Sequence, residues 1–358
     1  MAFVPSALPR VLDIARELGP ALDKALILVS RLGGVGETLP NPHLLIAPFL
    51  RREAVLSSKI EGTQASMSDV YKFEAGGGRA HSEDVREVIN YIHAVNWGLE
   101  KIASLPICIR LANEMHARLM VDVRGHDKRP GELRNKQNWI GKLKTPIEMA
   151  RYIPPPHNMV PDLMSDWEKF TNEPSVIPVL VRCALMHYQF EAIHPYEDGN
   201  GRIGRALIML FLRQEGVLST PLLYMSAYFE AHDDEYRDHL LRTSQTGDWQ
   251  PWIRFFLEGV AVQAQDALDR SLKIRELQDD FNQRLQENRA SANAFRLLEP
   301  LFTNPYVTVP GAAEYLGLTY AGAQGVVRRL SQTGILKKDS GRWRPALFVA
   351  RELLNVLE

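Results

Sequence analysis

Residues 194–205 read HPYEDGNGRIGR. The stretch sits between two strongly apolar segments, PSVIPVLVRCALMHYQFEAI before it and RIGRALIMLFLRQEG running out of it. Helices that are apolar on every side belong in the middle of a core. This loop therefore decides the fold: two central helices with a polar connection between them. Within the loop, Gly199 and Gly201 flank Asn200 just ahead of the second helix. Glycine lets backbone N–H groups approach an anion closely, and a helix N-terminus presents free N–H groups. Arg202 and Arg205 fall in the first turn, three apart and on neighbouring positions. Cations there oppose the helix dipole, so two of them imply an anion nearby. His194 is a residue type that accepts protons near neutral pH. Asp198 is a lone carboxylate beside phosphate-binding groups, the usual way to hold Mg²⁺. Together they form a polyphosphate cradle with one metal ligand and one base. That is the equipment for in-line attack of a hydroxyl on a nucleotide phosphate.

A rival reading makes His187, Glu191 and His194 a metal site. Glu191-x-x-His194 has the ExxH spacing of di-iron bundles, but those need a second copy and two more glutamates. The chain has no second ExxH.

Outward from the loop, most of the chain has helical periodicity. RVLDIARELGPALDKALILVSRLGG reads as helix broken at Gly19-Pro20 and closed by Gly33-Gly34. LPNPH reads as a turn and EAGGGRAHS (74–82) as a loop. LLIAPFLRREAVLSSKIE, SEDVREVINYIHAVNWGLEKIAS and LPICIRLANEMHARLMVDV are further helices, the second opened by Ser82 and acids in its first turn. QNWIG and ARYIPPP read as two short extended segments around KLKTPIEM, since Pro154-Pro155-Pro156 excludes helix. The chain stays helical to about residue 288, where QDDFNQRLQENRASAN suits a linker or a helix end. Beyond it, a brief strand, the helix VTVPGAAEYLG, a turn at LTYAG, the helix AQGVVRRLSQTG and the hairpin ILKKDSGRWRPALFVA give the outline of a winged helix.

With 358 residues, formal net charge −1 and pI near 6.8, the chain is long enough for two or three domains. It carries no global signal for nucleic acid or anionic membrane. Two distant cysteines, Cys108 and Cys183, argue against a disulfide framework and suit a reducing cytoplasm. The opening residues lack the pattern of a secretory signal, and no apolar run is long enough to span a bilayer. Residues 296–358 hold eight Arg or Lys against five Asp or Glu. That supports a modest phosphate-binding face carrying Arg328, Arg329, Lys337, Lys338, Arg342, Trp343 and Arg344, and a rival function as a DNA-binding regulator.

HPYEDGNGRIGR resembles the signature of the Fic (filamentation induced by cAMP) family, HPFx[D/E]GNGRxxR, with Tyr196 in the Phe position. LPNPHLLIAPFLRREAVLSSKIEGTQAS is similar to the amino-terminal segment of many bacterial Fic proteins, and a winged-helix end is common among them. The resemblance implies a mainly α fold: a helical Fic core with a small β-hairpin flap, plus a C-terminal winged-helix domain. The expected divisions are 1–100, 101–288 and 289–358. It implies AMP transfer from ATP to a Ser, Thr or Tyr hydroxyl of a protein, with Mg²⁺ and release of pyrophosphate. His194 would deprotonate the hydroxyl and Asp198 would hold Mg²⁺. Gly199, Asn200 and Gly201 would cradle phosphate, with Ile203 and Gly204 in the same run. Arg202 would hold the β-phosphate and Arg205 the γ-phosphate. A target segment would dock on the flap, Trp139 to Pro155, as an added strand. Related sequences often carry paired tyrosines near the adenine. Here the pair is Tyr236-Arg237, and a guanidinium stacks on a purine almost as an aromatic does. Self-modification and a homodimer are further expectations, as are transfer of another phosphate-containing group or AMP removal as alternative activities.

The resemblance also bears on VLSSKIEGTQ (55–64). Glu61 sits at an expected helix end, where the dipole penalises a carboxylate. Many Fic proteins carry an inhibitory helix with the pattern [S/T]xxxE[G/N], and Ser57 through Gly62 match it. By that likeness Glu61 pairs with Arg205 and displaces the γ-phosphate, with Ser57 on the same helix face.

Overall fold

The computed structural model describes residues 2–12, 16–38, 43–76, 82–141, 146–341 and 343–358. Most of the expected turn LPNPH (39–42), most of the glycine-rich loop (77–81), the flap tip (142–145) and Arg342 lie outside the described residues, and His43 of that turn opens a helix. The described chain is mainly α. Its helices are α1 (Gly19–Thr38), α2 (His43–Ile60), α3 (Met67–Glu74), α4 (Glu83–Lys101), α5 (Ile109–Leu119), α6 (Val160–Asn172), α7 (Val179–Ile193) and α8 (Asn200–Gln214). They continue as α9 (Ser226–Ala231), α10 (Asp233–Thr246), α11 (Gln250–Glu287), α12 (Ala292–Thr303), α13 (Val309–Leu316), α14 (Tyr320–Gln332) and α15 (Arg351–Leu357). One antiparallel sheet, order β1-β3-β2, joins β1 (Tyr306–Thr308), β2 (Lys337–Lys338) and β3 (Leu347–Val349).

The two apolar helices are central. Every α7 side chain but Val179 and Glu191 is buried, and α8 buries an unbroken run from Arg202 to Leu212. Helix α7 packs on α6, α8, α10 and α11, while α8 also meets α2, α4 and α5. Two buried indoles close this core: Trp167 donates to Met186 O at 3.0 Å and Trp252 to Ala184 O at 2.9 Å. Burying an indole is tolerable only with such a partner.

The first helix differs from expectation at both ends. Gly19 and Pro20 open α1, because proline lacks only an N–H that the first turn leaves unpaired anyway. Gly33 and Gly34 lie inside it. Gly36 lets α1 approach Thr220, whose Cβ would stand 2.8 Å from an added methyl. Helix α11 includes the polar QDDFNQRLQE stretch and reaches about 57 Å at 1.5 Å per residue. It packs along α1 and carries α12 and α15 at its far end. The turn expected at LTYAG shrinks to Gly317–Thr319. Gly317 has φ +66°, and the Thr319 hydroxyl accepts the Gly322 N–H at 3.3 Å, starting α14 within the expected turn. This is ordinary N-capping.

The C-terminal elements dock on α2 and α3. Helix α12 packs on α2, Asn304 donates to Tyr71 O at 3.0 Å, and the Ser68 and Tyr306 hydroxyls lie 2.7 Å apart. Among the described residues no helix is long and apolar enough to cross a membrane.

Candidate active site

The loop between α7 and α8 is tied down from within. His194 ends α7 with φ +51°, in the left-handed region. The Asn200 side chain closes a ring on Tyr196, accepting its N–H at 2.7 Å and donating to its carbonyl at 2.8 Å. Both ends of its amide are therefore held by the loop. The Gly199 N–H is likewise engaged by Asp198 Oδ1 at 2.7 Å. Ile203 is buried, and Gly204 packs against Glu191 and Phe190. These two expected ligand contacts face the core, because α8 presents that side to α7.

Two buried groups that the motif does not contain fix the loop from outside. Arg134, 2% exposed, donates to His194 O at 2.9 Å, Lys136 O at 3.1 Å and Pro155 O at 2.6 Å. It so joins the α7–α8 loop to the flap. His116 stacks on Tyr196 at 3.9 Å. Its Nδ1 accepts the Gly131 N–H at 2.9 Å, so Nε2 carries the proton and donates to Asp198 O at 3.0 Å. Burial lowers its pKa to about 4, keeping it neutral in that role.

His194 is partly enclosed, and among the described residues its Nδ1 has no hydrogen-bond partner. Burial pulls its pKa down to about 4. The imidazole is therefore neutral at pH 7 and able to take a proton.

The two arginines of the motif each meet a carboxylate. Arg205 Nη2 lies 2.7 Å from Glu61 Oε1. Its Nε donates to Ser57 Oγ at 2.9 Å and Nη2 also to Ser57 O at 2.8 Å. Helix α2 ends at Ile60, and Gly62 turns the chain with φ +99°, which carries Glu61 past the helix end onto Arg205. Gly201 admits it: an added methyl there would collide with Glu61 Oε1 and stand 2.8 Å from Arg205 Nη1. Burial alone would raise the Glu61 carboxyl, but Arg205 outweighs it and holds the carboxyl below its ordinary range. Burial would lower the Arg205 guanidinium, and the Glu61 charge more than offsets that. Helix α2 is itself anchored. Buried Glu53 accepts from Tyr91 Oη at 3.0 Å and Ser226 Oγ at 2.6 Å.

Arg202 pairs with Glu87 of α4, Nη1 to Oε2 at 2.9 Å, with both side chains only 2% exposed. Glu87 lies outside every motif. It stands on the inner stripe of α4 with Tyr91, Ala94 and Gly98, and a charge on a buried stripe is the signal that could have found it.

Asp198 is 30% exposed and pairs with Lys128 at 3.0 Å. Burial works against its ionised form, but Lys128 outweighs this and keeps its pKa below the usual value. The donor set fits Mg²⁺: one ionised carboxylate at an accessible edge, to be completed by substrate phosphates and water.

The expected adenine pair separates. Tyr236 is 3% exposed. It stacks on Phe229 at 4.3 Å, and its hydroxyl lies 2.9 Å from His187 Nε2. Its ring is part of the core, because α10 turns this face onto α7 and α9. Arg237 is half-exposed, pairs with Asp233 at 2.7 Å and donates to Ile60 O at 3.0 Å. It thus caps the last turn of α2. His187 uses its other nitrogen on Gly204 O at 3.1 Å. With both nitrogens engaged it cannot ligate a metal, and among the described residues no cluster of three or more His, Cys, Asp or Glu could hold one. The flap segments meet at one antiparallel bridge, Ile140 with Tyr152, and Trp139 is 44% exposed beside it.

Comparison with known proteins agrees with this geometry. The family model described as Fic/DOC family N-terminal matches residues 20–100, and that described as Fic/DOC family matches 106–212. The probable protein adenylyltransferase aq_aa38 of Aquifex aeolicus (strain VF5) is 35% identical over 88 residues, 24% of this chain and 28% of that protein. The protein adenylyltransferase Fic of Drosophila erecta is 29% identical over 161 residues, 44% of this chain. The chain spans 28% of the length of each of these two relatives. A crystal structure of a Fic family protein from Desulfovibrio desulfuricans G20 superposes with TM-score 0.61 at 19% identity, covering 96% of this chain and 98% of that one; it shares the fold. The two family models together take in more than half of the chain, and with the loop built as described, the chain belongs to the Fic/DOC family.

Proposed function

We propose that the chain is an autoinhibited protein adenylyltransferase that moves AMP from ATP to a Ser, Thr or Tyr hydroxyl and releases pyrophosphate. The observation that carries this reading is the Glu61–Arg205 pair at 2.7 Å, completed by Ser57. A cation suited to a terminal phosphate is held by an acid at the end of a neighbouring helix. Withdrawal of Glu61 frees Arg205 for the γ-phosphate, while Arg202 takes the β-phosphate. His194, neutral at pH 7, takes the proton of the attacking hydroxyl. Asp198, now paired with Lys128, would hold Mg²⁺, and the ion would supply charge neutralisation to the substrate phosphates. The acceptor segment lies along the flap from Trp139 to Pro155, where main-chain hydrogen bonds fix its register. A loop of the chain itself is one such acceptor, and a homodimer is a setting in which Glu61 could be gated. The free Cys108 and Cys183 suit a cytoplasmic site of action.

The test is incubation of wild type, Glu61→Gly and His194→Ala with labelled ATP and Mg²⁺, followed by mass mapping. Glu61→Gly gains label with the mass of AMP. If it labels no more than His194→Ala, the reading is lost. Label of another mass reassigns the transferred group, and loss of AMP from a modified target assigns removal.

A second reading concerns the C-terminal unit, which we read as a winged helix from residue 289 on. Arg328 and Arg329 of α14, Lys337 and Lys338 of β2, and Arg344 are all exposed, and Tyr320 and Gln324 share the α14 face with Arg328. This favours duplex DNA as an accessory partner. The full chain should shift a DNA duplex with an affinity that falls steeply with salt. No shift at low salt would discard it.

A further inference from the structure

Arg202 differs from Arg205 in how its charge is met. Its Nη1 is fixed on Glu87 Oε2 at 2.9 Å. Its Nη2 reaches only Met120 Sδ at 3.9 Å and Asp198 Oδ1 at 3.8 Å. Among the described residues, its Nε is buried with no hydrogen-bond partner. A guanidinium offers Nε and one terminal nitrogen as a fork for two oxygens. Here that fork has no close acceptor, although it is buried. Buried donors left unmade are costly, and each needs a reason. Two phosphate oxygens would supply it.

Glu87 cannot follow a ligand as Glu61 can. Its helix is clamped to the end of α5: Asn90 donates to Leu119 O at 3.2 Å and Val121 O at 2.6 Å, and Arg86 to Asp122 O at 3.1 Å. Arg124 covers its second oxygen at 3.6 Å. Glu61, by contrast, lies beyond a helix end with a third of its side chain exposed.

We propose that Glu87 is a positioning residue: it holds Nη1 of Arg202 so that the Nε–Nη2 fork is aimed at the β-phosphate before ATP arrives. The inference rests on the reading of this site as an ATP site. The two acids then have opposite effects. Glu61 stands where a phosphate will go, whereas Glu87 stands behind the cation and prepares it. A guanidinium already aimed loses less freedom when the nucleotide binds.

The experiment uses the full chain carrying Glu61→Gly, with ATP titrated by calorimetry and AMP transfer measured alongside. Adding Glu87→Gln keeps the shape and removes the charge. The expected result is a rise in Kd and KM for ATP of about tenfold, the size of one charge-assisted contact, with kcat within about threefold. Arg202→Gln and the double variant Glu87→Gln, Arg202→Gln should bind ATP equally, because Glu87 acts only through Arg202. The double variant carries neither buried charge, so the comparison remains readable should Glu87→Gln alone fail to fold. Three results overturn the proposal: a folded Glu87→Gln protein with unchanged KM, one that binds ATP more tightly, or a double variant weaker than Arg202→Gln. If the Glu61→Gly parent neither binds ATP nor transfers AMP, the reading of the site fails instead.

Discussion

Glu61 and Arg205, 144 positions apart, meet at 2.7 Å where the end of α2 faces the start of α8. A carboxylate at a helix C-terminus and a cation at a helix N-terminus each oppose the local dipole, and each relieves the other here. A phosphate would have to displace this contact. A charge-assisted hydrogen bond contributes about 1.5–3 kcal/mol. Replacing Glu61 with Gly should therefore lower the Kd for ATP at least about tenfold. Calorimetry on the two proteins decides it, and equal affinities would remove the competition between acid and nucleotide.

The His194 pKa sets a second expectation. Burial lowers it to about 4 from an ordinary 6.5. A lowered base stays neutral to lower pH, so kcat/KM for AMP transfer by Glu61→Gly should hold through pH 6 and fall only near pH 4–5. The Glu61 charge favours the protonated imidazole, so its removal moves the acid limb no higher. A midpoint at 6.5 or above would mean that His194 is better solvated than its surroundings indicate.

The loop and both central helices were legible from local signals, apolar runs and glycines before a helix; the Glu61 contact came from the family resemblance, with charges at the wrong helix ends in agreement. Glu87, Arg134 and His116 were not. They act across elements: the buried stripe of α4 marks Glu87 as a misplaced charge but does not name Arg202 as its partner, and Arg134 and His116 look like ordinary polar residues in one dimension. Only packing tells that Arg134 spends its donors on carbonyls of two separate segments. Tyr236 failed for another reason. The resemblance put it beside an adenine with Arg237, and its ring is instead packed on Phe229. Gly33 and Gly34 misled too, since helix α1 runs through them.

The placement of Tyr236 is itself testable. Its hydroxyl bonds to buried His187, whose other nitrogen already serves Gly204 O. Tyr236→Phe leaves His187 Nε2 unsatisfied, which should cost about 1–3 kcal/mol in urea unfolding. The affinity of the Glu61→Gly background for ATP should change less than about twofold. A large loss of ATP binding without loss of stability would return Tyr236 to the nucleotide.

Glu191 offers a pH-dependent check on the packing around Gly204. Its Oε1 is buried without a partner among the described residues, against the position where a Gly204 methyl would stand. Burial raises its pKa to about 7 from an ordinary 4.5, despite the nearby Arg205 charge. Between those values the native carboxyl keeps a proton that the unfolded chain has released. Stability therefore falls as pH rises through this window, and the full loss is reached above pH 7. Glu191→Gln cannot titrate and escapes that loss. Relative to wild type it should gain about 1–3 kcal/mol on going from pH 4 to pH 8, each pKa unit being worth about 1.4 kcal/mol before relaxation reduces it. Urea melts of both proteins at the two pH values measure the difference directly. A stability difference that stays constant between them would mean that Glu191 is ionised in the folded protein, with a cation or water reaching Oε1.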